Sequence, residues 1–136
     1  MPRRAVVVHS LAHAVAALKA AAEAGAGVTL VSAPAAAGYL GPGVFREMIA
    51  EARRRHPDVP VRAVLDCGDE PGFALAAFRS GIEAVRVDVP PDVRRRLADI
   101  ARKSGAVLDD GRAPALDLLD CADPYAAAKR WLAEGG

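Results

Sequence analysis

The chain has 136 residues, with 18 basic side chains against 17 acidic ones and a 52% hydrophobic fraction that is largely alanine and valine. That length suits a single α/β domain spanning residues 1–136 and falls short of the ~200 residues or more of a complete eight-stranded barrel. A net charge of +1 excludes an overall field toward nucleic acid or acidic lipid, and no apolar run reaches the ~20 residues of a membrane span.

The N-terminal stretch MPRRAVVVHS is basic and then apolar, but the run stops at His9 with no small-residue cleavage site, so it reads as a first strand, Ala5–His9. Further strand-like runs follow at Val28–Ala33, Val61–Asp66, Ala84–Val89 and, less clearly, Ala106–Asp109. These runs are continuous rather than alternating, the pattern of strands covered on both faces. Helical stripes separate them: Leu11, Val15 and Leu18; Phe45, Met48, Ile49 and Ala52; Phe73, Ala77 and Phe78; Val93, Leu97, Ile100 and Ala101. A last helix containing Trp131 and Leu132 opens on the Asp123-Pro124 pair, a good N-cap and first-turn combination.

The local punctuation agrees with these boundaries. Ser10 suits the N-cap of the first helix, Pro71 and Pro91 suit the first turns of the third and fourth, and Gly25, Gly81 and Gly105 each close a helix shortly before a strand. The pattern predicts about five βα units forming a parallel sheet, since right-handed crossovers between parallel strands leave little other choice. The sheet is either a partial, TIM-barrel-like arc or an open flavodoxin-like sandwich. An arc with two bare edges predicts a homodimer or a protein partner that covers them. Two cysteines, Cys67 and Cys121, form no disulfide framework and suit a reducing cytoplasm.

Candidate chemistry gathers where strands end. Asp66, Cys67, Gly68, Asp69 and Glu70 crowd into one turn before Pro71, at the position where parallel α/β proteins bind ligands. Asp69 and Glu70 also suit the positive end of the helix that follows, and Cys67 suits a small buried hydrophobe. His9 and His13, one helical turn apart, sit at the end of the first strand, so a His, His, Cys zinc site is conceivable. Ser32 and the loop from Gly38 to Gly43, with Gly41 at its centre, would let backbone amides approach an anion, although the spacing matches neither a P-loop nor a dinucleotide fingerprint. Asp88 with Asp66 suggests a phospho-receiver pair, but His9 and Ser10 stand where such a site needs acidic residues. The basic runs Arg53–His56 and Arg94–Arg96 lie on outer helix faces without aromatic neighbours, as solvated surface.

Several of these local patterns fall in the same order as in the N-terminal half of class II ketose-bisphosphate aldolases. AVAALKAAAEAGAGVTLVSAP resembles the family's first helix and second strand, AAAGYLGPGVFREMIAEARRRHPDVPV its small-residue loop with Tyr-x-Gly and the next helix, VLDCGDE its His-Leu-Asp-His-Gly motif, and GIEAVRVD its Gly-Phe-x-Ser-Val-Met-Ile-Asp segment. The resemblance covers roughly residues 9 to 109 and implies a zinc-dependent (β/α)8 ancestry. It places Asp66 on the catalytic aspartate and Cys67 on a zinc-binding histidine. Thiolate remains a competent zinc ligand. Val64 replaces the motif's other histidine, and Val89 and Pro90 replace Gly-Ser after Asp88. The family's two remaining zinc histidines and its phosphate-binding loops have no counterpart here. The resemblance therefore implies a non-catalytic, aldolase-derived domain that binds a small anionic metabolite or a protein partner at the strand ends, through Ser32, Gly38, Gly41, Asp69 and Asp88. A metal-dependent lyase completed across an oligomer, with zinc held by Cys67 and His9 and Asp66 as its acid/base, is the alternative. A purely structural role is a third.

Overall fold

The computed structural model describes residues 3–134. Six strands, β1 (Ala5–Val8), β2 (Val28–Ser32), β3 (Val61–Asp66), β4 (Ala84–Arg86), β5 (Val107–Leu108) and β6 (Ala115–Asp117), form one all-parallel sheet. Five helices accompany them: α1 (Leu11–Ala24), α2 (Pro42–Arg55), α3 (Pro71–Arg79), α4 (Pro91–Lys103) and α5 (Pro124–Glu134). The fold is α/β, as the sequence predicts. β6 is an addition, because three residues after Pro114 are too short for a periodicity to register.

The expected caps form. Ser10 Oγ accepts the His13 amide at 3.1 Å and Asp123 Oδ1 accepts the Ala126 amide at 3.0 Å. Gly25 closes α1 at φ 63°, and Gly81 and Gly105 follow α3 and α4 at φ 79° and 76°.

The strand order is β5-β4-β3-β2-β1-β6. β1 to β5 are laid down consecutively in one direction, as in a segment of a barrel. The all-parallel order is consistent with a partial, barrel-like arc and with an open Rossmann-like sandwich. All five helices bury their apolar stripes in one core with Val6, Val8, Val28, Leu30, Ala63, Leu65 and Val85. Trp131 of α5 donates its indole N–H to the Ala5 carbonyl at 3.0 Å, under the Arg4 guanidinium, and so fixes α5 beside β1.

The opposite face carries only a small cluster, Ala5, Val31, Val64 and Ala84, with Val7 and Ala113 packed on it. Continuous apolar runs predict strands covered on both faces; here the second cover is a link of six residues, Asp109–Pro114, joining β5 at one edge to β6 at the other. In a flat sheet those edges would stand about 24 Å apart at ~4.8 Å per strand, about the full reach of such a link. The link also turns, with Gly111 at φ 71°. A curl that brings the edges toward each other across the open face would shorten that span. Arg86 and Ala5 hold the link at its two ends: Asp109 receives the Arg86 guanidinium, and the Ala5 amide donates to the Pro114 carbonyl at 2.8 Å.

The edge strands are two and three residues long. Short edges are themselves a protection against unwanted pairing. No helix among the described residues is long and apolar enough to cross a membrane.

Candidate functional site

Side chains alternate across a strand, so Asp66 and Cys67 leave the end of β3 in opposite directions. Asp66 points to the open face. Cys67 joins the helix-side core, 1% exposed, and its thiol contacts the Leu65 carbonyl at 3.8 Å. Burial, together with the neighbouring Asp66 charge, pushes that thiol up to about 12. A thiol so placed does not present thiolate at the rim at neutral pH.

Asp66 ties three chain segments together. Its Oδ1 accepts the amides of Ala35 at 3.0 Å and Gly68 at 2.9 Å, and its own amide donates to Ser32 Oγ at 2.9 Å. Ser32, 2% exposed, donates its hydroxyl hydrogen bond to the Ala33 carbonyl at 3.2 Å. Both side chains singled out from the sequence are thus occupied in joining the end of β2 to the end of β3. Ala35 adopts φ 55° in the turn after β2, and Gly68 adopts φ 59° in the turn after β3. Gly38 lies exposed in the short 3-10 turn Ala36–Gly38, and Gly41 is the N-cap of α2 without a side-chain cap bond. Asp69 is exposed, and Glu70 takes the N-cap of α3 without a capping bond from its side chain.

His9 is directed elsewhere. Its Nε2 lies 2.7 Å from Asp117 Oδ1 at the end of β6, and its amide donates to His13 Nδ1 at 3.1 Å. Burial raises the Asp117 carboxyl, but the Leu119 amide and His9 outweigh that and hold it below its ordinary value. His13 is pulled down, first by burial and then by the facing His9, with Asp117 opposing. His9 and Cys67 therefore belong to different surroundings, a rim pair and a core thiol. Among the described residues no group of three or more His, Cys, Asp or Glu side chains is placed to hold a metal ion. The zinc site expected from Cys67 and His9 does not assemble around these two residues.

The strand ends do form a cleft of about 330 Å³, bordered by Asp66, Arg86, Asp88, Arg94, Asp109 and Asp110. Arg86 Nε and Nη2 both reach Asp109 Oδ2, at 3.0 and 2.8 Å. Arg94 donates to the Val87 carbonyl at 3.4 Å, which turns the first turn of α4 toward the cleft. Asp88 is exposed, and its amide donates to the Gly68 carbonyl at 2.8 Å. Arg86, Arg94, Asp109 and Asp110 are the site residues that sequence reasoning missed. The available signal was parity, since Arg86 and Asp88 alternate with buried Val85 and Val87 and so must share a face with each other.

The fold comparison is consistent with this architecture. A solved structure of a candidate fructose-1,6-bisphosphate aldolase from Coccidioides immitis is similar at a TM-score of 0.65 and 20% sequence identity, over 78% of this chain. The match covers 44% of that protein, so the chain corresponds to less than half of its length. At this identity the likeness concerns the fold. No protein-family profile matches the chain, and no curated protein matches it.

Proposed function

We propose that this chain is an aldolase-derived α/β domain that binds a small polar ligand at the carboxyl ends of its strands and does not catalyse carbon–carbon cleavage. The observation that carries the reading is the use made of Asp66. Asp66 Oδ1 is held by two backbone amides, which leaves Oδ2 alone for any proton transfer, and among the described residues no group of three or more His, Cys, Asp or Glu side chains is placed to hold the metal such a cleavage needs. Beside it, Cys67 sits in the core with its thiol pushed up to about 12.

What remains at the strand ends is a cleft whose charge favours one kind of ligand. Four carboxylates border it against two guanidinium groups, and one of those, Arg86, is already engaged by Asp109. This balance suits a ligand presenting an amine or several hydroxyls better than the simple anion expected from the sequence. Asp88, exposed, is the side chain free to meet it. Amide chemical-shift mapping with a hexosamine and with the matching hexose phosphate tests this. The hexosamine should move the amides of Gly68, Asp88 and Asp110, and Asp88→Ala should weaken the response. A response to the phosphate alone, or to neither probe, contradicts the reading.

A further inference from the structure

The open face of the sheet holds a second cavity, of about 610 Å³, which takes in the N-terminal ends of β2 and β3 and shares Asp109 and Asp110 with the cleft described above. Arg3, Thr29, Arg62, Asp109, Asp110 and Arg112 border it. Thr29 and Arg62 are direct cross-strand partners, each the second residue of its strand, and parity sends both side chains to the open face. Arg3 precedes β1 at the same level, with its guanidinium against Gly27. Arg112 descends from the link that crosses this face. One row of the sheet and one loop thus deliver three guanidinium groups to a single cavity.

These charges lack matching partners. Among the described residues, no carboxylate lies within 4.0 Å of the guanidinium of Arg3 or Arg62, and that of Arg112 meets only Asp110, at 4.0 Å. Asp109, the other acid at the border, is neutralised by Arg86. Thr29 is 7% exposed. All three arginines are exposed, Arg112 with 86% of its side chain accessible, so they stand hydrated at the mouth of the cavity with their donors available. Here the apolar neighbours Ala5, Val31, Val64 and Ala84 give the cavity a low-dielectric wall that strengthens its field.

We infer that this cavity is a binding site for a small phosphate-type oxyanion, held by Arg62, Arg3 and Arg112 with the Thr29 hydroxyl as a neutral donor. Guanidinium groups suit that role because their planar forks donate two parallel hydrogen bonds to a phosphate or carboxylate edge. The volume falls within the range of small-molecule sites and leaves room for a metabolite attached to the anion. The two sites share Asp109 and Asp110 at their borders, but the guanidinium groups of Arg3, Arg62 and Arg112 belong to this cavity alone. It also gives the anionic ligand expected from the sequence a place where positive charge is in excess.

The test is titration with inorganic pyrophosphate, followed by calorimetry and by amide shifts. Binding should appear at millimolar concentration or below, with shifts at Thr29, Arg62 and Arg112 and none at Gly68 or Asp88. Arg62→Gln and, independently, Arg112→Gln should each weaken it about tenfold or more, with the unfolding midpoint unchanged. Arg95→Gln, on the outer face of α4, should leave it as it was. Absence of binding up to ~10 mM pyrophosphate overturns the inference. So does binding that both cavity variants retain, or shifts confined to other parts of the protein.

Discussion

Asp66 Oδ1 accepts the amide of Ala35 at 3.0 Å, so the end of β3 is fastened to the turn that leaves β2. The same oxygen takes the Gly68 amide at 2.9 Å. Removing it in Asp66→Ala leaves two amide donors without their acceptor and should cost about 1–2 kcal/mol of stability. Asp66→Asn keeps an acceptor oxygen and should cost less. Urea unfolding of the two variants checks the order.

Gly68 and Ala35 meet across that joint. A Cβ at Gly68 would stand 3.1 Å from the Ala35 Cβ, and Gly68 is already at φ 59°. Gly68→Ala should therefore destabilise by about 1–2 kcal/mol from its left-handed backbone, plus the contact. Ala35→Gly removes the opposing methyl and a second left-handed alanine at φ 55°. The double variant should be more stable than the sum of the two single changes, which a double-mutant cycle measures directly.

Cys67 should be the protected thiol and Cys121, half-buried near the surface, the accessible one. A disulfide reagent at neutral pH should titrate one thiol in the native protein and two in denaturant. Because the folded thiol titrates at about 12 against 9.0 for the ordinary value, its contribution to stability is complete below pH 9.0 and is lost as pH climbs toward 12. Cys67→Ala should flatten that alkaline decline.

His13 works in the other direction. Burial, then the facing His9, lowers its affinity for protons in the fold, so the unfolded chain takes up the proton first as pH falls below 6.5. Protonation would also displace the His9 amide from Nδ1. Stability should therefore drop from neutral pH toward mildly acidic pH. His13→Gln, which offers an acceptor and does not titrate, should reduce the slope in unfolding midpoints measured across that range.

The element sequence from β1 to α4 was legible because each βα unit carries its own punctuation: Ser10 before α1, Gly25 after it, and Pro71 and Pro91 at N1 of their helices. Local pattern left the choice between arc and sandwich open, and the six-residue link that spans the two edges is a long-range fact with no local signature. Asp66 was correctly placed at a strand end, but a sequence cannot say whether a carboxylate faces a substrate or two amides. Cys67 was ambiguous for a related reason. One residue of register decides between rim and core, and only alternation with Arg62, Val64 and Asp66 on the open face settles it. The same alternation held the overlooked signal. Arg62 and Arg86 lie inside strands that otherwise read as buried, and charged residues at those positions mark the face that helices leave uncovered. Arg53 shows the converse, for in a run read as solvated surface it reaches the Val61 carbonyl at 2.9 Å and Glu83 at 2.7 Å.

In the function proposed here, the Asp66 strand end serves as a structural joint rather than as a proton-transfer site. Cleavage of fructose 1,6-bisphosphate in the presence of added zinc, by the wild-type chain and by Asp66→Asn, tests it most directly when unfolding midpoints are recorded on the same samples. The account expects no cleavage above a protein-free control from either chain, and a lower midpoint for Asp66→Asn. Zinc-dependent cleavage by the wild type that disappears in Asp66→Asn, with the midpoint unchanged, would contradict it.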